Sequence, residues 1–429
     1  MFYKLLFQLG QKIRNPSINK WYDFLKGSEK WTLEELEEYQ LKKVKELLIF
    51  SYKYSKYYQV KFDKLNLNPH DFHVLSDLKE YPFTNKKDLI THNKEIHTHA
   101  NLKKIKKATT SGSTGESLQF YREETADSFN RASIFRGYSW YGIKPWDNNG
   151  YFWGFNFSKL QKTKDSILDS LQNRFRLFSY QEKEMDVFLK KLKKAKFLHG
   201  YSSMIYQTAQ VINKKKNHIT FNLKMVKGTS EKIFDKYQEE VTKAFGVRMI
   251  SEYGATETGI IAFECIEGNM HLNMEGVLVE EIKNEIVITN LQLQSFPIIR
   301  YKLGDYIKLA DKDKACTCGL KHRILEEVTG RVGENIYGKN EIYPSLYIYY
   351  IFKNLSKESN LLLNYQVHHK TKGELLFNIS EQLNKSELDL LKKQIQKYFP
   401  DDIKYHISDN QIFPVGEKKL KNFISSINE

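Results

Sequence analysis

Apolar residues recur at helical spacing from Trp31 to Tyr58, at Leu33, Leu36, Tyr39, Leu41, Val44, Leu47 and Leu48, which predicts a helical opening. The next stretch, LKKIKKATTSGSTGESLQFYRE, runs from a basic segment through a Ser/Thr/Gly cluster into the alternating Leu118-Gln119-Phe120, the pattern of a loop feeding a strand. Helical patterns return over Glu124–Tyr141, Glu182–Lys194, Ser202–Lys216 and Glu231–Phe245. Short strand-like runs lie between them at Phe197–His199, Leu223–Lys227 and Arg248–Tyr253. This alternation predicts a large N-terminal α/β domain with a partly parallel sheet.

Beyond Glu334 the order changes. A helical pattern at Ser345–Lys353 precedes strand-like Tyr365–His368 and Leu375–Ile379, then amphipathic Ser386–Tyr398 and a last strand at Ile403–Ile407. That is a small α+β C-terminal unit. Glycines cluster in GRVGENIYGK, so the boundary is set there: a large domain over residues 1–333 and a small one over 334–429.

The opening MFYKLLFQLGQKIRNP carries Phe2, Leu5, Leu6, Leu9 and Ile13 among Lys4, Lys12 and Arg14. Its apolar run is too short and interrupted for a signal peptide. An interfacial helix and a helix packed on its own core both fit the spacing, and packing is the favoured reading. Every apolar run elsewhere is broken by Lys, Asp or Glu, so no stretch approaches the ~20 residues of a membrane span and any membrane contact is peripheral.

The chain has 429 residues and a formal charge of +15, with 41% hydrophobic and 14% aromatic residues, which excludes wholesale disorder. Of its 67 basic residues ten are Arg, leaving 67 − 10 = 57 Lys. Guanidinium forks are the usual readers of phosphates and bases, so this balance argues against a nucleic-acid partner. The three cysteines, Cys265, Cys316 and Cys318, are too few for a disulfide framework and fit a reducing, cytoplasmic setting.

Four segments carry chemistry. Thr110-Ser111-Gly112-Ser113-Thr114-Gly115 is no Walker loop, because no Gly-Lys-Ser/Thr follows, yet its glycines and hydroxyls suit an anion, with Lys103, Lys104, Lys106 and Lys107 upstream. Glu252-Tyr253-Gly254-Ala255-Thr256-Glu257 follows the strand-like Val247–Ile250, and ligands of open α/β sheets bind at such strand ends. Tyr253 can stack on a flat base, and Glu257 offers the hard oxygen that Mg²⁺ prefers. Arg300-Tyr301-Lys302-Leu303-Gly304-Asp305 ends a strand-like run with an Asp suited to a sugar diol. Gly330-Arg331-Val332-Gly333-Glu334 puts a rare arginine in a loop at the predicted hinge.

Together, in this order, the segments resemble the adenylate-forming enzymes: acyl-CoA synthetases, peptide-synthetase adenylation domains and luciferases. Within them the chain is similar to the phenylacetate-CoA ligase branch, which includes the capsule-biosynthesis proteins named CapK. The resemblance spans about residue 30 to the C-terminus. It implies that Ser111 to Gly115 cradle the β- and γ-phosphates, Tyr253 stacks on adenine, Thr256 touches the α-phosphate and Glu257 holds Mg²⁺. It further implies that Asp305 and Arg331 fix the ribose. His199-Gly200-Tyr201-Ser202-Ser203 and Gly228-Thr229-Ser230-Glu231 would wall the acyl pocket, with Trp153 and Phe155 as further lining candidates.

The tail Pro414-Val415-Gly416-Glu417-Lys418-Lys419-Leu420-Lys421 is similar to the family's Gly-Lys-Phe-Arg stretch, whose Lys bridges carboxylate and α-phosphate. Lys419 aligns best, while Lys418 stands where Gly is usual and stays an alternative. Gly333-Glu334 departs from the two acidic residues usual in this branch.

Cys265-x₅-His271 and Cys316-x-Cys318 form one constellation. Thiolates with an imidazole make a closed structural zinc site, and three packed thiols are the competing reading. His322 is a substitute fourth ligand. The expected activity is that of an AMP-forming acid–thiol ligase using ATP, Mg²⁺ and coenzyme A or a phosphopantetheine carrier protein, with the small domain swinging between half-reactions. A carboxylate–amine ligase or nucleotidyl transferase in surface-polysaccharide tailoring is the alternative. The sequence leaves open the identity of the small-molecule acid and the oligomeric state, a homodimer included.

Overall fold

The computed structural model describes residues 1–110, 117–152, 159–177, 182–215, 220–230, 233, 235–331, 335–343, 345–359, 361, 363, 365–399, 401–411 and 423–427. The chain opens with helices α1 (Phe2–Arg14), α2 (Ile18–Ser28), α3 (Leu33–Tyr54) and α4 (Lys56–Lys64), followed by the short α5 (Lys86–Thr91) and α6 (Asn93–Ile96). Thr32 and Glu35 start α3 reciprocally: the Thr32 hydroxyl accepts from the Glu35 N–H at 3.2 Å, and the Glu35 carboxylate accepts from the Thr32 N–H at 2.7 Å. Ser55, in extended conformation, divides the predicted helical opening into α3 and α4. Its own N–H still bonds back to Ser51, so the break is a change of direction rather than a loss of pairing. Helix α1 packs through one edge, where Phe7 meets Phe135 and Trp146, but none of its residues is buried.

A small ribbon of β1 (Lys106–Thr109) and β2 (Gln119–Arg122) leads into helix α7 (Glu124–Trp140). The alternation then runs β3 (Asn149–Phe152), α8 (Lys159–Leu171), β4 (Arg174–Arg176), α9 (Glu182–Leu192), β5 (Phe197–Tyr201), α10 (Ser202–Lys214), β6 (Met225–Thr229), α11 (Asp235–Phe245) and β7 (Met249–Ala255). Strands β4, β3, β5, β6 and β7 pair in parallel in that order. A parallel pair needs a crossover, and the intervening helices supply it.

At β7 the sheet changes character. Strands β8 (Gly259–Glu264), β9 (Met270–Leu272), β10 (Val277–Ile282), β11 (Glu285–Asn290), β12 (Tyr301–Leu309) and β13 (Ile324–Arg331) extend it in antiparallel pairs. The full order is β10-β11-β12-β13-β9-β8-β7-β6-β5-β3-β4. Leu36, Val44, Leu48 and Phe62 of the opening helices share one buried cluster with Ile286, Ile288, Phe296 and Tyr301 of this antiparallel half. Burying each such side chain stabilises the fold by about 1.5–3 kcal/mol.

Contacts divide the chain into two compact units, the second comprising residues 111–117, 154–164 and Val332–Glu429. Within it, β14 (Ile336–Tyr337) pairs β15 (Ile342–Tyr343), and helix α12 (Leu346–Ser359) precedes a four-stranded sheet. That sheet is formed by β16 (Tyr365–Thr371), β17 (Glu374–Ile379), β18 (Lys404–Ser408) and β19 (Phe423–Ser425) in the order β18-β17-β16-β19, with helix α13 (Lys385–Tyr398) after β17. Ile348, Ile351, Phe377, Leu391 and Ile395 make its core.

Candidate functional site

The hairpin between β7 and β8 sits where the sheet turns from parallel to antiparallel pairing, and its turn is Thr256-Glu257-Thr258. Two glycines make the hairpin possible. A Cβ on Gly254 would lie 2.5 Å from the Gly259 carbonyl oxygen, and Gly259 has φ +75°, a conformation that L side chains rarely adopt. The turn's backbone is held from three sides. Arg122 donates to the Thr256 carbonyl, Asn290 donates to the carbonyls of Thr258 at 3.0 Å and Glu257 at 3.5 Å, and the Ile260 N–H donates to Asn130 at 2.8 Å. A turn so braced presents its side chains in a fixed arrangement.

Two side chains tie the hairpin to strand β12, which lies three places along the sheet from β8. The Tyr253 hydroxyl donates to Asp305 Oδ2 at 2.6 Å, and the Tyr301 hydroxyl donates to Glu257 Oε1 at 3.1 Å. Two segments about fifty residues apart thus interlock through two phenol–carboxylate bonds, each stronger than a neutral hydrogen bond. Glu257 is 3% exposed and Tyr301 fully buried. Asp305 does not end its strand as predicted. It lies mid-strand after Gly304, whose φ of +83° marks a local distortion, and it pairs in register with Arg331. Arg331 is the last residue of β13 rather than part of a loop, because Gly330 and Arg331 complete the ladder with Tyr306 and Asp305.

Other expected residues fall as follows. Thr110 closes the neck of the Ser/Thr/Gly segment: its N–H donates to the Leu118 carbonyl and its hydroxyl accepts from the Leu118 N–H, both at 2.9 Å. Ser111, Gly112, Ser113, Thr114 and Gly115 lie outside the described residues, as do Trp153, Phe155, Glu231, Gly333, Glu334, Lys418 and Lys419. Gly228 is required by packing, since a Cβ there would run into the Ser202 hydroxyl. Ser230 is exposed at φ +67°, and Tyr201 is buried at the end of β5.

Glu252 is engaged below the turn. Lys227 on β6, 3% exposed, donates to Glu252 Oε2 at 2.5 Å and lies 5.3 Å from the Tyr138 ring centroid. Burial opposes its charge, but Glu252 and Tyr138 outweigh burial and raise the Lys227 pKa. On the neighbouring strand His199 is in register with Lys227 and meets Asn149 Oδ1 at 3.2 Å. Burial first, then the Lys227 and Arg174 cations, hold His199 well below its usual value, so it is neutral. Arg122, Asn290, Tyr301 and Lys227 were not singled out as site residues from sequence. A lone Lys in the otherwise apolar run Met225-Val226-Lys227-Gly228 was the available signal, since a buried charge needs a partner.

The cysteine constellation is assembled. Ligand atoms of Cys265, His271, Cys316 and Cys318 all lie within 4.8 Å of one another. Cys265 Sγ is 3.7 Å from Cys316 Sγ, and Cys318 Sγ is 3.2 Å from His271 Nε2. His271, on β9, donates from Nδ1 to the His322 carbonyl at 3.0 Å, which leaves Nε2 as the acceptor nitrogen facing the thiols. Burial lowers its pKa to about 4, so the ring is neutral. His322 is not among these clustered ligand atoms. Its Nε2 meets Glu275 Oε1 at 2.9 Å, and the same oxygen accepts from Arg136 at 2.6 Å and Ser28 at 2.5 Å. That hydrogen bond holds His322 Nε2 on Glu275.

No protein-family model matches the sequence. Over 291 residues the chain is 23% identical to the protein CapK of Staphylococcus aureus, covering 65% of this chain and 64% of CapK, a little under two thirds of that protein's length. Over 343 residues it is 24% identical to phenylacetate-coenzyme A ligase of Thermus thermophilus, covering 73% of this chain and 74% of the ligase. Among solved structures, 2-hydroxyisobutyryl-CoA ligase in its thioesterification state, complexed with 2-HIB-AMP and CoA, matches with a TM-score of 0.64. The identity there is 16%, over 93% of this chain and 91% of that one. The chain therefore has the fold of the adenylate-forming enzymes. Its sequence relatives lie in the branch of phenylacetate-CoA ligase and CapK.

Proposed function

We propose that this protein is an ATP-dependent acid–thiol ligase. A carboxylate oxygen of the acid attacks the α-phosphorus of ATP and pyrophosphate leaves, giving an acyl-adenylate. The sulfur of coenzyme A, or of a phosphopantetheine carrier, then attacks the acyl carbonyl, gives up its proton and displaces AMP. Activation is needed because a free carboxylate would have to expel an oxide.

The observation that carries this reading is the 2.6 Å bond from Tyr253 to Asp305. A nucleoside needs a stacking ring and a diol acceptor close together, and the two segments that the family resemblance assigns to adenine and ribose meet there. Arg331, in register with Asp305, would complete the ribose contacts. Thr256 would contact the α-phosphate, Thr110 and residues 111–115 the outer phosphates, and Lys419 the acid and the α-phosphate together. Gly228, Ser230 and Glu231 would border the acid, and Glu252 and Gly254 would flank Tyr253 at the nucleotide.

Glu257 would hold Mg²⁺, which when bound neutralises charge on the phosphate oxygens. Its carboxylate suits that role: Tyr301 fixes one oxygen, and the braced turn fixes the backbone. Cys265, His271, Cys316 and Cys318 would hold a structural zinc. A tetrahedral site with Zn–S bonds near 2.3 Å has S···S edges of ~3.8 Å, close to the 3.7 Å found, whereas a disulfide would need ~2.05 Å. Four protein ligands leave no position for water, so this zinc would clamp β8 and β9 to the loop before β13 and take no part in adenylation.

The test is pyrophosphate release from ATP against a panel of aryl, aliphatic and amino acids, with and without coenzyme A. Acid-dependent release that coenzyme A accelerates supports the reading. Release that proceeds to product only with an amine acceptor would replace the thiol, and no acid-dependent release at all would remove adenylation.

A further inference from the structure

Helix α1 is amphipathic in an unusual sense: its apolar stripe faces away from the protein. At 100° per residue Phe2, Leu5, Leu9 and Ile13 fall within an arc of about 80°. All four are exposed, by 68%, 56%, 58% and 73% respectively. The opposite edge anchors the helix. Phe7 packs against Phe135 and Trp146 with ring centroids 5.7 and 5.6 Å apart, and Lys4 lies 5.8 Å from the Trp146 ring. Buried Asn15, just past its end, donates to Asp127 at 2.8 Å and Ser128 at 3.2 Å. The stripe is thus held outward by a tethered helix.

We propose that this face docks the protein on an anionic lipid surface. Scattered exposed apolar side chains are ordinary, but four in one stripe on one helix are not. The choice of occupant follows from charge. Helix α1 carries Lys4, Lys12 and Arg14 and no carboxylate, and Lys12 borders the stripe. The basic segment of Lys103, Lys104, Lys106 and Lys107 adjoins its end, where Lys106 donates to the Arg14 carbonyl at 2.8 Å. Exposed Ile105 lies among those lysines. A second copy of the same helix would bring like charges together with no acid to pair them, whereas anionic headgroups complement them. Among the described residues no helix is long and apolar enough to cross a membrane, so the contact is one of lying on the surface. An acid–thiol ligase so placed would meet acids that partition into lipid, and the docking itself does not depend on that activity.

Co-sedimentation of the full chain with vesicles tests the proposal, using phosphatidylcholine alone and phosphatidylcholine mixed with phosphatidylglycerol. The wild type should pellet with the anionic vesicles, and less so as salt is raised, because the lipid attraction is screened. Leu9→Glu/Ile13→Glu should lower the partition coefficient at least tenfold, since burying those two side chains supplies much of the affinity. Lys12→Glu should lower it less. Both variants alter exposed positions, so melting temperature and pyrophosphate release should stay at wild-type values. The proposal falls if the wild type stays in the supernatant with anionic vesicles, or if the double variant pellets equally well. It falls as well if light scattering shows a dimer that the double variant dissociates, because a second copy would then cover the stripe.

Discussion

Tyr301→Phe isolates one hydrogen bond at the heart of the site. The ring is fully buried and stays in place, so no cavity forms; Tyr301→Ala would by contrast cost about 3–5 kcal/mol of stability. What is lost is the hydroxyl that donates to Glu257 Oε1 at 3.1 Å. A hydrogen bond to a charged group contributes about 1.5–3 kcal/mol, and Glu257 is almost wholly removed from water. If Glu257 holds the metal of the nucleotide, loosening it should lower kcat/KM for Mg·ATP by roughly 10- to 100-fold and raise the Mg²⁺ concentration needed for half-maximal rate. Pyrophosphate release measured over a Mg²⁺ series, beside thermal melting, makes the comparison. A fall in melting temperature with an unchanged Mg²⁺ dependence would show that Tyr301 only supports the fold, and would refute its positioning role.

Asp305→Ala and Tyr253→Ala should each weaken ATP binding by calorimetry without unfolding the protein; unchanged affinity in both would remove the nucleoside site from this edge of the sheet. Lys419→Ala should lower acid-dependent pyrophosphate release by ~10²-fold or more, the scale of losing one electrostatic stabiliser, and Lys418→Ala much less. Equal, small effects would take Lys419 out of its role. Elemental analysis of protein prepared without added metal should find about one zinc per chain, and Cys316→Ser/Cys318→Ser should lose it together with thermal stability. Full retention of melting temperature in that variant would leave three packed thiols as the better account.

In the parallel half of the sheet, β5, β6 and β7 are legible in sequence as short apolar runs between amphipathic helices, whereas the short β3 and β4 are not. The antiparallel half is less legible. Strand β12 alternates buried and exposed residues, but Gly304 and its bulge resemble a turn, so Asp305 was set at a strand end. Arg331 looks like loop in the sequence because glycines flank it, while cross-strand pairing with Asp305 decides its conformation. The outward face of α1 was not legible at all, since an apolar stripe has the same spacing whether a core or a lipid surface receives it. The four metal-site candidates came together because His271 and the Cys316-x-Cys318 turn flank neighbouring strands β9 and β13, whose pairing His271 itself joins. Contacts such as Arg122 to Thr256 carry no sequence signature, since a side chain bonding a distant carbonyl leaves no local pattern.

The central claim, attack of a carboxylate on the α-phosphorus, is tested most directly by following oxygen atoms. An accepted acid carrying heavy oxygen in its carboxylate is turned over with ATP and coenzyme A, and the nucleotide product is weighed by mass spectrometry. Passage through an acyl-adenylate leaves one heavy oxygen on the phosphate of AMP, because the carboxylate oxygen that joined phosphorus departs with it. Unlabelled AMP, or label recovered in inorganic phosphate beside ADP, would contradict the assignment.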